Sequence, residues 1–221
     1  MSQEIKIEKK ASEVIQPTSD NAAREAIQAK QDLSGANLVG MDLANLTAVG
    51  AILRKTNLTN ANLSHCLFVS PNFYRASLYN TAMHNTVILG GDLMRTQFEE
   101  TDLHESALIG VNAQETCFKN ANLRRAALIN ANLKDSDFTG ANLTNARFSS
   151  SNVAGADFTE ADLSGARAHN VDWRKAKVPP GTIPEPLIEI PKWAWIVLIG
   201  GLVGVIALII YGITNKRQKS G

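Results

Sequence analysis

The sequence predicts an all-β solenoid followed by one transmembrane helix. Three observations favour this fold class. An apolar residue, usually a large one, recurs every five positions from 33 to 173, a small residue stands two positions before most of them, and an uncharged apolar run follows at 193–214. A period of five fits neither a helix nor a plain strand. It requires a turn in every unit, and short strands joined by turns wind into a coil whose layers stack about 4.8 Å apart.

The large apolar residues keep one phase along most of the chain. Counting every fifth residue from Leu33 to Trp173 gives 29 positions, of which 15 are Leu and seven are Phe, and these are all the phenylalanines of the protein. The small class is mostly Ala, Ser, Thr, Cys, Gly or Val, as at Ala121 and Ala141. Neither class contains a charged residue or a histidine. We therefore expect both classes to point into the solenoid.

Turn-forming residues complete the unit. Asn or Asp often stands between the two inward classes, as at Asn62, Asp102 and Asp162, which gives the pattern Ala-(Asn/Asp)-Leu-x-x. Glycines such as Gly140 and Gly165 follow the large residue. These residue types suit turns because they tolerate left-handed backbone geometry or hydrogen-bond to their own backbone. One turn per unit is therefore expected.

The runs at 131–135 (ANLKD), 141–145 (ANLTN) and 161–165 (ADLSG) closely resemble the unit of the pentapeptide-repeat family. The resemblance covers about 36–175, roughly two thirds of the chain. It implies a right-handed quadrilateral β-helix with four units per coil, and the repeat would then form about seven coils with a length of roughly 34 Å.

The implied coil of four units makes residues 20 positions apart stack. Fully burying each stacked side chain contributes about 1.5–3 kcal/mol to folding. Two internal columns are expected, namely Phe98, Phe118, Phe138 and Phe158 in one, and Leu43, Leu63, Met83, Leu103, Leu123, Leu143 and Leu163 in the other.

The segments around the repeat predict a cap, a linker and an anchor. A short helix with Ser19 or Asp20 as its N-cap would close the amino-terminal end of the solenoid. Five prolines make the segment after the repeat an extended, fairly stiff spacer. The predicted regions are a disordered tail at 1–18, the capping helix at 19–32, the β-helix at 33–175, the Pro-rich linker at 176–192, the transmembrane helix at 193–214 and a basic tail at 215–221.

The run 193–214 has the features of a membrane span. As a helix, its residues would extend about 33 Å, which is enough for a hydrocarbon core of roughly 30 Å. Trp193 lies at one end and Tyr211 near the other, where interfacial aromatic residues belong. Gly200 and Gly204 form a GxxxG pattern that permits helix packing, so a homodimer is an open alternative.

The orientation of this anchor is open. The first ten residues contain no apolar segment of the kind found in a secretory signal. This favours a single-pass, tail-anchored protein with the solenoid on the cytoplasmic side. The cations Lys216, Arg217 and Lys219 would themselves favour that side, which conflicts with this orientation. The resemblance to membrane-tethered pentapeptide-repeat proteins, abundant in cyanobacteria, implies a thylakoid or plasma membrane.

Composition disfavours several classes of function. The 22 Lys and Arg residues nearly balance the 21 Asp and Glu residues, which argues against a nucleic-acid partner. No nucleophile and base, phosphate loop or carboxylate pair stands out from the repeat, so neither an enzyme nor a cofactor is expected. The two cysteines, Cys66 and Cys117, are too few for a disulfide framework.

One outward face carries the candidate site. On the fourth face of the implied coil the outward residues are aliphatic, whereas the other three faces are mainly polar. Such a patch usually marks an interaction site, although β-branched residues also suit strands for structural reasons. We expect this face to bind a protein partner, such as a membrane complex that could be photosynthetic, or a second copy. The predicted contacts are Val49, Leu67, Val69, Val87, Leu89, Ala107, Ile109, Ala127 and Ile129.

Two other functions are open alternatives. Some pentapeptide-repeat proteins resemble DNA and bind topoisomerase through an acidic surface, which suggests a regulator that sequesters a soluble partner. Residues 33–173 carry 13 acidic and 10 basic side chains, and Arg54, Arg75 and Arg95 cluster on the first face, so this resemblance is weak. The other alternative is a membrane protein that associates with itself through Gly200 and Gly204.

The histidines on the third face are a further candidate. His84 and His104 are 20 residues apart and His65 is near them, so the three are expected to cluster. Two or three histidines can bind a metal ion. No carboxylate or thiol is expected to converge with them, and surface histidines without a metal are the favoured interpretation.

Overall fold

The computed structural model describes residues 14–177 and 184–186. This part of the chain is a parallel β-solenoid preceded by a short helix, which confirms the predicted solenoid and its helix. In chain order the elements are α1 (Asp20–Gln28), β1 (Thr47–Val49), β2 (Leu67–Val69), β3 (Val87–Leu89), β4 (Ala107–Ile109), β5 (Ala127–Ile129), β6 (Arg147–Ser149), β7 (Arg167–His169), a 3-10 helix (Trp173–Lys175) and β8 (Glu185–Pro186).

Several predicted features lie outside the described residues. They are most of the amino-terminal tail, most of the Pro-rich linker at 176–192, the transmembrane helix at 193–214 with Gly200 and Gly204, and the basic tail at 215–221. Within 14–177 and 184–186, the structure contains no helix with the length and apolarity that a membrane crossing requires.

Four parallel ladders run along the solenoid. Strands β1 to β7 recur every 20 residues and pair in sequence order, so that Ala48 is opposite Phe68 and Phe68 is opposite Ile88. The other three ladders consist of single bridges, such as the pair of Asn57 and Ser77. The seven strands from β1 to β7 define six complete turns, with partial turns at both ends. About six turns therefore replace the predicted seven.

The interior contains the residues that the period of five selected. All members of both predicted columns are buried. In the phenylalanine column, neighbouring ring centroids are 5.1, 4.7 and 4.8 Å apart and the ring planes lie within 6° of each other. The predicted ring stack is confirmed. The apolar interior holds the coils together, and both cysteines of the described residues are free thiols.

Turns occur at every fifth residue. Each residue whose number is a multiple of five, from 30 to 170, has a left-handed φ between 50° and 78°. Many of them are neither Gly nor Asn, for example Lys55, Arg95 and Glu100. That geometry costs an ordinary residue roughly 1–2 kcal/mol, so the stacked coils on both sides impose it. The Asn before the large residue stabilises the turn by accepting a backbone hydrogen bond, as from Thr59 N to Asn57 Oδ1 (3.1 Å).

Most small inward polar residues form hydrogen bonds inside the solenoid, although the buried Ser106 hydroxyl has no partner among the described residues. The Thr86 hydroxyl donates to the Leu63 carbonyl (2.6 Å) and the Thr96 hydroxyl to the Phe73 carbonyl (2.8 Å). Because buried hydroxyls without partners would be destabilising, these contacts explain why threonine alternates freely with alanine at the small position.

Both ends of the solenoid are covered. Helix α1 begins after Ser19, whose side chain accepts a hydrogen bond from Ala22 N (3.3 Å), and its buried residues Ala23, Ala26 and Ile27 join the core. At the other end the Trp173 ring packs edge-on against the last core phenylalanines, with centroid distances of 5.1 and 5.5 Å. Within the predicted linker, β8 pairs in parallel with β7.

Candidate protein-interaction surface

The fourth face differs from the others in its backbone. On the other three faces a backbone hydrogen bond usually closes the turn. The N–H of the small residue donates to the carbonyl of the preceding large residue, as Ala61 does to Leu58 (3.0 Å) and Ala76 does to Phe73 (2.8 Å). On the fourth face the residue after the large one stays extended, so three consecutive residues belong to each strand. This face therefore presents the widest band of extended backbone in the described solenoid.

Pro71 fits this difference. It occupies a small position on the fourth face, and proline has no N–H to donate. The equivalent N–H groups of Ala51, Gly91 and Val111 take no part in backbone hydrogen bonds within the described solenoid. The proline thus removes no ladder bond at this position.

The predicted contact residues form one continuous surface. Val49, Val69, Leu89, Ile109 and Ile129 occupy successive rungs of the parallel ladder. Every member of the set is half-buried, while the residues between them point inward and are buried. We call this surface the apolar strip; it consists of Val49, Leu67, Val69, Val87, Leu89, Ala107, Ile109, Ala127 and Ile129. Its placement follows the predicted register, and its role in binding stays a prediction.

The apolar strip has clear borders. It crosses five strands, which corresponds to a length of about 19 Å at the usual strand spacing. Beyond Ile129 the ladder continues with Ser149 and then His169. The exposed Arg147 and Arg167 stand beside these residues, so the carboxyl-terminal end of the strip is positively charged.

The outward side chains of the other faces interact with each other. On the first face the Arg95 guanidinium forms an ion pair with the Glu115 carboxylate (2.8 Å). On the second face the Lys119 ammonium lies 3.3 Å from a carboxylate oxygen of Asp137. Hydrogen bonding and charge from Glu115 raise the pKa of Arg95, so this pair stays charged at neutral pH. These faces are polar surfaces on which some of the charges are paired.

The surroundings of the two cysteines disfavour the thiolate form. Both are free thiols. Burial raises the pKa of the Cys66 thiol to about 11, and burial also raises the pKa of the Cys117 thiol. Because the thiolate is the reactive form, neither thiol is activated at neutral pH.

Family comparisons agree with the repeat. A model of pentapeptide repeats (8 copies) matches residues 32–69, 51–88 and 141–177, and a model of the pentapeptide repeat region matches residues 89–158. These matches cover 32–177 without a gap. The chain belongs to the pentapeptide-repeat family. No curated protein matches it.

Solved pentapeptide-repeat structures resemble the chain at low identity. QnrB1, a plasmid-mediated fluoroquinolone resistance protein, is 19% identical, with 75% of this chain and 90% of that chain covered and a TM-score of 0.38. HetL, involved in heterocyst differentiation regulation in the cyanobacterium Nostoc, is 24% identical, with coverages of 65% and 73% and a TM-score of 0.25. A pentapeptide-repeat protein of the Arabidopsis thaliana thylakoid lumen is 24% identical, with coverages of 56% and 71% and a TM-score of 0.21. Resemblance at this level concerns the fold alone.

The histidines on the third face of this pentapeptide-repeat protein have an acidic neighbour. The rings of His84 and His104 stack with centroids 5.0 Å apart, and the His65 ring packs edge-on against His84 at 5.2 Å. The Asp102 carboxylate lies 2.8 Å from His104 Nδ1 and 3.8 Å from His84 Nδ1. The expectation that no carboxylate converges with these histidines is therefore wrong. Asp102 forms a β-bridge just before the turn, and its side chain lies with one oxygen against His104 and the other facing His84.

Proposed function

We propose that this protein is a non-catalytic scaffold that binds a protein partner through the apolar strip. The observation that most supports this proposal is the aliphatic outer surface of the parallel sheet, on which each strip residue is half-buried and pairs with the next coil. Parallel sheets in proteins are normally covered on both faces. On the fourth face itself, strands β6 and β7 carry the exposed Arg147 and Arg167, so strand formation alone does not require aliphatic residues outside.

The dimensions of the strip suggest how it is used. The apolar strip is about 19 Å long and three residues wide, which corresponds to an apolar area on the order of 200 Å². Stable interfaces bury about 800 Å² per partner, so the strip would form only the apolar centre of a larger contact. Arg147 and Arg167 would belong to the rim, which favours a partner with an apolar ridge and an acidic group at one end.

A membrane anchor is part of the same proposal. The apolar run 193–214 supports a single-pass anchor, and the solenoid would lie on the cytoplasmic side of a thylakoid or plasma membrane. An anchor confines the strip near other membrane proteins and raises their effective concentration. The preferred partner is therefore a membrane complex.

The decisive experiment compares two double variants of the full-length protein. Ile109→Asp with Ile129→Asp puts charges on two adjacent coils of the strip. Met94→Asp with Gln114→Asp is the matched control, because it changes outward residues at the equivalent position of two adjacent coils on the first face. After purification in a mild detergent, mass spectrometry should find the same complex with the wild type and the control, and not with the strip variant.

The same experiment separates the alternatives. Both variants should keep the wild-type Tm within a few degrees, because they change outward side chains only. Co-purification that survives Ile109→Asp with Ile129→Asp would refute the strip as the binding surface. Recovery of a soluble protein would favour the sequestering regulator, and recovery of the chain alone would favour self-association.

A further inference from the structure

Metal-ligating side chains are concentrated in one patch outside the apolar strip. Three of the four histidines of the whole chain lie together on the third face, and His84 and His104 share the carboxylate of Asp102. One ligand atom each from His84, Asp102 and His104 lie within 4.8 Å of one another. These donors come from two adjacent coils whose stacking fixes the backbone. The patch is thus held in place by the fold.

We propose that His84, Asp102 and His104 bind a first-row transition-metal ion such as Zn²⁺. Imidazole nitrogen and carboxylate oxygen are the ligands that this class of ion prefers. Two histidines and one carboxylate leave at least one coordination position for water or for a group on another molecule. This site is independent of the proposed docking surface.

The gap between His84 and Asp102 matches the size of such an ion. Their nearest nitrogen and oxygen atoms are 3.8 Å apart, which is too far for a hydrogen bond. Two ligands at about 2.0–2.2 Å from a tetrahedral ion are themselves roughly 3.4 Å apart. A shift of a few tenths of an ångström would therefore bring both atoms to bonding distance.

His84 also has an unused ligand atom. Its Nδ1 is shielded from solvent and has no hydrogen-bond partner among the described residues. A ring nitrogen in that position would ordinarily be paired. The adjacent carboxylate oxygen faces it, and a cation between the two would satisfy both.

Neighbouring groups orient Asp102. One carboxylate oxygen accepts hydrogen bonds from Asn122 Nδ2 (2.8 Å) and from the backbone N–H of His104 (3.4 Å), whereas its contact with His104 Nδ1 (2.8 Å) would be given up when that ring binds the ion. The second oxygen is the one that faces His84. Such partners hold a ligating carboxylate in place and typically change metal affinity by 10–100-fold when they are removed.

Metal binding at this site requires one histidine ring to rotate. The rings of His84 and His104 are nearly parallel, with 13° between their planes, and nitrogen lone pairs lie in the ring plane. Both nitrogens can therefore reach one ion only if one ring turns about its χ2 bond. The side chains remain 30% and 27% exposed, so solvent on one side leaves room for this rotation.

Isothermal titration of the full-length, chelator-treated protein in detergent with ZnCl₂ tests the site. We expect one ion per chain, and an affinity that falls about tenfold or more in His84→Ala, in His104→Ala and in Asp102→Asn. Asp102→Asn keeps the oxygen that closes the turn while it removes the charge. His169→Ala is the matched control, because it changes a histidine at the end of the apolar strip and should leave the affinity unchanged.

Titration with CoCl₂ gives a second readout, since ligation by histidine nitrogen alters the visible absorption of the ion. The absorption change should appear in the wild type and in His169→Ala and be absent from His84→Ala with His104→Ala. Wild-type Zn²⁺ affinity no higher than that of this double variant would overturn the proposal. Full affinity in Asp102→Asn would equally contradict it.

Discussion

The fourth face of the solenoid and the other three have the same interior and different exteriors. Inward residues such as Leu108 on the fourth face and Phe118 on the second face are equally buried. Outside, the fourth face carries Ile109 where the first face carries Gln114 and the third carries His104. The inward residues stabilise the coil, and the outward residues are free to vary. Strands β6 and β7 of the fourth face carry the exposed Arg147 and Arg167, so the aliphatic exterior of β2 to β5 is not required by strand formation and indicates a role beyond folding.

The backbone also distinguishes the fourth face from the other three. On the polar faces, an Asn or Asp before the large residue supports the turn, as Asn57 does. On the fourth face the equivalent positions hold strip residues such as Leu67 and Val87, and the strands are three residues long. The extended strand takes the place of the turn-supporting side chain, which leaves this position available for aliphatic residues.

Substitutions of inward residues should cause the largest losses of stability, whichever face the residue belongs to. Phe118→Ala removes the ring between two stacked neighbours and should lower the free energy of unfolding by about 3–5 kcal/mol. Leu108→Ala should cost about 2–5 kcal/mol for the same reason, the loss of buried contacts. Denaturant unfolding measures both. Ile109→Ala is the outward control on the fourth face, and a cost for it as large as that of Leu108→Ala would contradict the separation of interior from exterior.

Gly91→Ala should have the next largest effect. Gly91 has a φ of 91°, and an added Cβ would approach the backbone of Pro71 far inside van der Waals distance. The coil would have to shift, at an expected cost of about 1–3 kcal/mol. Gly110→Ala is the control, since φ there is also left-handed but no atom lies within 4 Å of the added Cβ. Thermal unfolding should show a clearly lower Tm for Gly91→Ala than for Gly110→Ala, and equal Tm values would count against the close packing at Pro71.

A smaller loss of stability is expected from a substitution beneath the edge of the apolar strip. Thr86 precedes the strip residue Val87, and its hydroxyl donates to the buried Leu63 carbonyl. Thr86→Val keeps the shape and loses this bond, at a cost of about 0.5–1.5 kcal/mol. Chemical denaturation checks the value. Ser34→Val, at a half-buried outward position, should change stability less. An unchanged free energy of unfolding for Thr86→Val would show that the hydrogen bond is dispensable.

Acid should have a mild effect that arises from the polar faces. Hydrogen bonds from Thr159 and Ser164 hold the pKa values of Asp157 and Asp162 below the ordinary value. A carboxyl whose pKa is lowered by folding stabilises the protein above the unfolded pKa, near 4, and loses that contribution as the pH falls through the folded pKa. The Tm should therefore be level above about pH 4 and decline below it. Asp157→Asn with Asp162→Asn should make this decline shallower; an unchanged slope would exclude these two groups as its source.

The sequence predicted much of this structure because the period is strict. The phenylalanine column, the alternation within β1 to β5 and the helix before the repeat all follow from residue types at fixed spacing. The left-handed turns at Lys55 and Glu100 could not be predicted from residue preference, because neighbouring coils impose them. Asp102 was assigned to a turn, and the period alone does not show that its second oxygen faces His84. That contact depends on side-chain rotation across two coils.

A photo-crosslinking amino acid placed at position 109 tests the central claim most directly. The same amino acid at position 94, on the first face, is the comparison. If the fourth face is the docking surface, irradiation of native membranes should join position 109 to one recurring protein, and position 94 should yield little of that product. Equal yields from the two positions, or none from 109 while the complex stays assembled, would contradict the account.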